Sequence, residues 1–117
     1  MLFRSRAEIA SYLASGGDAT GLVVASSTSA LGVHAGVLSS GAAIPEDISV
    51  VSIHDTWFAE HLTPSLTVVQ LPLADIGSTA VDLLIEQIEE STEGETVLDE
   101  QAPRLIQRAS SASPSER

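Results

Sequence analysis

Residues 20–53 read TGLVVASSTSALGVHAGVLSSGAAIPEDISVVSI and contain two strand patterns on either side of one helix pattern. Thr20–Ala25 and Ile48–Ile53 are short apolar runs rich in Val and Ile, which is typical of strands buried on both faces. Between them, apolar residues recur at helical spacing over roughly residues 29 to 40, and Gly41 ends the pattern. A strand, a helix and a strand of these lengths predict a right-handed parallel βαβ unit.

The same reasoning extends the unit in both directions along the chain. It predicts a first helix over residues 5–14, a third strand over 66–71, a long helix over 73–90, a short edge strand over 96–98 and a last strand over 104–108. These elements predict an α/β fold in which a parallel sheet is flanked by helices. We expect one domain over residues 1–110 and a disordered polar tail over residues 111–117.

The charge of the chain excludes several classes of partner. Five Lys+Arg stand against 16 Asp+Glu, for a formal charge of -11, and all five cations are Arg, at positions 4, 6, 104, 108 and 117. Nucleic acids and anionic membranes are bound largely through Lys and Arg, so we expect no direct nucleic-acid binding by this segment and no membrane association. The chain has no apolar run long enough to cross a membrane and no signal-peptide pattern, which predicts a cytoplasmic protein. The absence of Cys excludes disulfides and Cys-ligated zinc.

Three side chains invite a catalytic or metal-binding interpretation, and the sequence argues against both. His54, Asp55 and His61 lie near one another in the chain. Neighbours at the end of a strand point to opposite faces, so the side chains of His54 and Asp55 diverge. The chain also lacks the G-x-S-x-G pattern of a serine nucleophile. We therefore predict that the protein is not an enzyme and holds no metal and no cofactor.

Other polar and aromatic residues keep two interpretations each. Trp57, the sole Trp, either stacks on a ligand or packs in the core or at an interface. The polar run Ser26-Ser27-Thr28-Ser29 either caps the following helix or binds an anion at its N-terminus. His34 is expected to be a partly exposed structural residue, and the acidic residues 86–100 a solvated surface.

Several ordered motifs resemble the effector-binding domain of LacI/GalR-type transcriptional regulators. The most specific is Ile44-Pro45-Glu46-Asp47-Ile48-Ser49-Val50-Val51. It is preceded by VVA at 23–25 and ALGV at 30–33, and followed by PSLTVV at 64–69, LADIG at 73–77 and RLIQRAS at 104–110. The matches lie in the same order as in the family over about residues 7 to 110.

The resemblance implies one lobe of a periplasmic-binding-protein-like fold that binds a small effector, a sugar or nucleoside-like molecule, in a cleft. It also implies that the DNA-binding helix-turn-helix and the other lobe lie outside these 117 residues. Since ligands of open parallel sheets bind beyond the carboxyl ends of the strands, it places the ligand residues at Ser26, Ser27, His54, Asp55 and Trp57. The family's usual Asn-Asp, Asp and Gln are replaced here by Ser26 and Ser27, by His54 and by Leu71.

These observations lead to a first hypothesis and two alternatives. The first is an effector-sensing and dimerising portion of a LacI-type regulator, which shifts its conformational population when the effector binds. The second is an oligomerisation module that has lost effector binding, and the third is a fragment of a periplasmic-type sugar-binding transport protein. A homodimer is expected because the long helix at 73–90 carries a wide apolar band.

Overall fold

The computed structural model describes residues 2–90, 96–97 and 102–114. The chain forms two compact units, one over residues 1–70 and 105–117 and the other over residues 71–104. Within the described residues, the first unit contains nearly all of the sheet, two α-helices and a short 3-10 helix (Ala59–His61), and the second unit contains one long α-helix.

The first unit is built on a four-stranded sheet. Its strands are β1 (Gly21–Val24), β2 (Ser49–Ile53), β3 (Thr67–Gln70) and β4 (Arg104–Ile106), and they lie in that order across the sheet. β1 pairs with β2 in parallel and β2 pairs with β3 in parallel. The α/β class and the parallel pairing predicted from the sequence are thereby confirmed.

Two helices of the first unit, α1 (Leu2–Ala14) and α2 (Ser27–Ser39), pack against each other. Their packing depends on two glycines of α2. A Cβ added at Gly32 would overlap the carbonyl oxygen of Leu2, and one added at Gly36 would overlap Cγ2 of Ile9. The two helix backbones therefore approach more closely than any larger residue at these positions allows.

The core of the first unit is aliphatic, as the low aromatic content of the sequence indicates. It is formed by buried side chains from α1, α2, the loops and the strands: Ile9, Ala30, Val33, Val37, Ile44, Ile48, Val50, Ala59, Leu66 and Val68. Every described strand except β1 and β4 contributes a fully buried residue.

The segment that follows β4 forms hydrogen bonds with the amino ends of β2 and β3. Ser110 is fully buried, donates a hydrogen bond to the carbonyl oxygen of Val50 at 2.6 Å and accepts one from the N–H of Thr67 at 2.8 Å. Ala112 donates a hydrogen bond to the hydroxyl of Ser49 at 3.1 Å. The expected tail thus begins with residues that bond to the sheet, and residues 115–117 lie outside the described part of the chain.

Two strand expectations were wrong. β1 is not buried on both faces, because it lies at the edge of the sheet, and Val23 is 77% exposed. β2 alternates: Val50 and Ser52 are buried while Ser49, Val51 and Ile53 are only half-buried. A continuous β-branched run does not distinguish a central strand from an edge strand, since both have the same composition.

The second unit contains the helix α3 (Leu73–Glu90), which begins and ends as predicted. Six of its apolar side chains are 41–72% exposed: Leu73, Ile76, Val81, Leu84, Ile85 and Ile88. The edge strand expected at residues 96–98 is not found at Thr96 and Val97, and Leu98 lies outside the described residues. Within the described residues, no helix is long and apolar enough to cross a membrane.

Candidate functional site

The carboxyl ends of β1 and β2 lie side by side because the two strands are parallel and Val24 is opposite Ser52. Ser26 and Ser27 follow β1, and His54 and Asp55 follow β2. In open parallel sheets this edge is where ligands bind. We call these four residues together with Trp57 the candidate ligand edge.

Ser26 is the N-cap of α2. Its backbone is extended, with φ -144° and ψ 136°, and its hydroxyl oxygen accepts a hydrogen bond from the N–H of Ser29 at 3.2 Å. One free N–H group of the first helical turn is thereby satisfied. The capping interpretation of this serine is confirmed.

Ser27 joins the start of α2 to the end of β2. It is 3% exposed, and its hydroxyl lies 3.2 Å from the hydroxyl of Ser52. The same hydroxyl is within donating distance of the carbonyl oxygens of Ile53 and His54. Its hydrogen-bonding capacity is therefore used inside the protein.

His54 turns the chain at the end of β2. Its φ of 75° lies in the left-handed region, which is uncommon for residues other than Gly and concentrates at functional sites. Its N–H still donates to the carbonyl oxygen of Val69, at 2.8 Å, so it extends the pairing with β3. Among the described residues, Nδ1 of His54 and Oγ1 of Thr56 are buried side-chain atoms without a hydrogen-bond partner.

Asp55 forms a bidentate ion pair with Arg108, a residue that the sequence did not predict as part of the site. The two guanidinium nitrogens lie 2.9 and 3.0 Å from the two carboxylate oxygens, and the side chains are only 17% and 20% exposed. Hydrogen bonds from this guanidinium lower the pKa of Asp55, and the carboxylate raises the pKa of Arg108. The sequence held one weak signal for this pair, since Arg108 is one of only five cations in the chain.

Trp57 is 82% exposed and touches Phe58 edge to face, with ring centroids 5.7 Å apart. It is therefore not a core residue, and its indole is available for stacking on a ligand or a partner. His61 is also exposed and lies 3.7 Å from Glu60. The His54, Asp55 and His61 side chains do not form a triad, because Asp55 pairs with Arg108 and His61 with Glu60.

No group of three or more His, Cys, Asp or Glu side chains within residues 2–90, 96–97 and 102–114 is arranged to hold a metal ion. A groove of about 530 Å³ runs beside β1 and is lined by Tyr12, Val23, Ser26 and neighbouring residues of α1 and α2. Ser26 is the member of the candidate ligand edge that reaches this groove.

His34 lies beneath the loop that precedes β3. It is 4% exposed, so the expectation of partial exposure was wrong, and its Nε2 lies 3.1 Å from the carbonyl oxygen of Pro64. Burial lowers the pKa of His34, and the hydrogen bond to Pro64 opposes that shift. Its burial and its contact with Pro64 agree with the structural role predicted from the sequence.

The four-stranded sheet, in which β1, β2 and β3 run parallel, has α2 packed against it and polar residues at the carboxyl ends of β1 and β2. This arrangement is typical of α/β domains that bind small ligands. Residues 4–111 match the family model of the periplasmic binding protein-like domain. The chain is 39% identical over 67 residues to the lactose operon repressor of Rhizobium radiobacter, covering 57% of this chain and 59% of that protein.

Solved structures agree with this assignment. A LacI family transcriptional regulator from Mycobacterium smegmatis matches with a TM-score of 0.86 and 32% identity, over 97% of this chain and 43% of that one. The Lac repressor bound to ONPG matches with a TM-score of 0.82 and 26% identity, over 94% of this chain and 33% of that one. The chain belongs to the periplasmic-binding-protein-like domain family and is of the LacI type. It spans less than two thirds of the length of these relatives.

Proposed function

We propose that this chain is the effector-sensing and dimerising portion of a LacI-type transcriptional regulator, and that its effector is a sugar or a nucleoside-like molecule. The observation that carries the proposal is the candidate ligand edge. The fold brings Ser26, Ser27 and His54 together beyond two neighbouring parallel strands, in a domain family whose relatives include a lactose operon repressor and a Lac repressor bound to ONPG.

The mechanism is a shift between two conformations of unequal effector affinity. An effector that binds one conformation better raises its population, and the change is passed to whatever part of the regulator contacts the operator. The left-handed backbone of His54 supports this role, because residues held in sparsely populated backbone conformations cluster at ligand-binding sites and switch regions. No bond-making step is required, so the proposal includes no enzymatic activity, no cofactor and no metal.

The proposed dimer interface is α3. Its exposed apolar side chains form the kind of surface that soluble monomers rarely leave in water. Burial of a fully exposed side chain of this size contributes about 1.5–3 kcal/mol, and these side chains are 41–72% exposed, so each contributes roughly half of that amount. Salt screens the opposing repulsion between two negatively charged chains, since the Debye length is about 8 Å at physiological salt. Two copies related by a two-fold axis cover this face most simply.

One observation favours the alternative of an oligomerisation module without an effector. The Ser27 hydroxyl and both oxygens of the Asp55 carboxylate are engaged inside the protein. A site that grips sugar hydroxyls needs donors and acceptors that face outward, and these groups face inward. The alternative therefore makes a distinct prediction, namely dimerisation without ligand binding.

Ligand screening decides between the two functions. We expect lactose, ONPG, ribose or a nucleoside to raise the thermal unfolding temperature of the wild-type chain. His54→Ala should then weaken binding of the identified ligand at least tenfold, roughly the effect of losing one hydrogen bond in a desolvated site. His61→Ala is the matched control, since His61 is exposed and lies outside the candidate ligand edge.

A ligand whose affinity is unchanged in His54→Ala would move the site elsewhere. A chain that dimerises but responds to none of these compounds would support the oligomerisation module instead.

A further inference from the structure

We propose that Arg108 is a positioning residue of the candidate ligand edge: by holding Asp55 it fixes the chain segment that carries His54 and Trp57. For its effect on effector binding, this inference rests on the proposed function. It concerns a residue near the end of the sequence whose guanidinium bonds Asp55 and the carbonyl oxygen of Leu66.

Arg108 is itself firmly anchored on the start of β3. Its backbone N–H donates to the hydroxyl of Thr67 at 2.9 Å, and its guanidinium donates to the carbonyl oxygen of Leu66 at 2.9 Å. These two bonds do not involve Asp55. Arg108 is therefore held in place by contacts that are independent of Asp55, as a positioning group must be.

Asp55 is held by this preformed group through both of its oxygens, at 2.9 and 3.0 Å. A bidentate Arg–carboxylate pair fixes direction as well as distance, and Lys cannot reproduce both bonds. The pair is only 17–20% exposed, so water screens it less than it screens an ion pair on the surface.

The position of Asp55 between His54 and Trp57 makes this pair important for the site. On one side, the hydroxyl of Ser27 donates a hydrogen bond to the carbonyl oxygen of His54, and the N–H of His54 donates to the carbonyl oxygen of Val69. On the other side, the ion pair with Arg108 fixes the next residue. The left-handed turn at His54 is thus fixed on both sides by hydrogen bonds and an ion pair. Because both carboxylate oxygens of Asp55 bond Arg108, we infer that Asp55 fixes the backbone of this segment rather than binding the ligand itself.

The test compares Arg108→Gln, Arg108→Lys and Asp55→Asn in the 117-residue chain by amide hydrogen exchange, which separates local from global opening. In Arg108→Gln we expect the amides of residues 54–57 to exchange about tenfold faster or more, the effect of losing a charge-assisted bond. The amides of Ile9 and Val37, in the core, should be unchanged. Arg108→Lys should be intermediate, and Asp55→Asn should resemble Arg108→Gln.

The matched control is Arg4→Gln, which breaks an Arg–carboxylate pair whose side chains are 85% and 66% exposed. It should leave residues 54–57 unchanged. The positioning role would be overturned if exchange at residues 54–57 were unchanged in both Arg108→Gln and Arg108→Lys. It would also be overturned if both variants accelerated exchange uniformly, including at Ile9 and Val37.

A second measurement separates this inference from the proposed function. With whichever of lactose, ONPG, ribose or a nucleoside binds the wild-type chain, Arg108→Gln should raise the Kd at least about tenfold while Arg4→Gln leaves it unchanged. An unchanged Kd would refute the link to binding. If no compound binds the wild-type chain but exchange at residues 54–57 responds selectively, the proposed function fails and the positioning of the segment stands.

Discussion

Replacement of Gly36 by Ala tests the close contact between α1 and α2. An added Cβ would overlap Cγ2 of Ile9 and lie 2.9 Å from the carbonyl oxygen of Arg6. The Ile9 side chain can rotate, but the backbone oxygen of Arg6 moves only if α1 moves. Ile9 is the buried residue of α1, so such a displacement disturbs the contact of this helix with the core.

Two opposing effects set the size of the change in stability. Overpacking of a well-packed interface costs about 1–3 kcal/mol, whereas Ala is about 1 kcal/mol more favourable than Gly in a helix interior. We expect the free energy of unfolding of Gly36→Ala to fall by about 1 kcal/mol, from a mid-range overpacking cost of about 2 kcal/mol. Gly32→Ala should also destabilise the protein, because its Cβ would meet the carbonyl oxygen of Leu2.

The measurement is urea denaturation, followed by far-UV circular dichroism and by the fluorescence of the sole Trp, with linear extrapolation to water. Gly77→Ala in α3 is the control, because a Cβ there has no heavy atom within 4 Å. It gains the same helix propensity without the contact, so its stability should stay the same or rise. If Gly36→Ala proves as stable as the wild type, α1 and α2 do not approach as closely as described.

Three further outcomes are expected. Burial lowers the pKa of His34 in the folded protein, so as the pH decreases the imidazole is protonated in the unfolded chain before it is protonated in the folded one. The free energy of unfolding should therefore decrease as the pH is lowered from about 6.5. His34→Gln should reduce that fall in urea denaturation, and an equal fall in both proteins would contradict it. In fluorescence anisotropy, a chain without Lys should show no submicromolar, salt-sensitive binding to duplex DNA, and such binding would contradict the charge argument. In sedimentation equilibrium the apparent mass of the wild type should exceed the monomer mass of 12.1 kDa, and Ile88→Glu should bring the apparent mass closer to that of the monomer. A wild type that is monomeric at micromolar concentration would refute the α3 interface.

Apart from the edge strand expected at residues 96–98, the types and order of the main helices and strands followed from the sequence. The Val-rich runs at residues 20–25 and 48–53 and the helical spacing between them predicted β1, α2 and β2, because hydrophobic periodicity and turn residues are local properties. The family was also identifiable from ordered motifs such as IPEDISVV at residues 44–51, and the comparisons confirm it. Ser26 as a helix cap was predictable for the same local reason.

Only the tertiary structure determined which distant residues the side chains of the candidate ligand edge contact. The pairing of Asp55 with Arg108 joins residues 53 positions apart, and the contact of Ser27 with His54 joins residues 27 positions apart. The exposure of Val23 depends on the place of β1 at the sheet edge, and the need for Gly36 depends on the passage of α1 across it. Composition and periodicity report which face of an element is apolar, but only the folded chain determines which distant group each side chain meets.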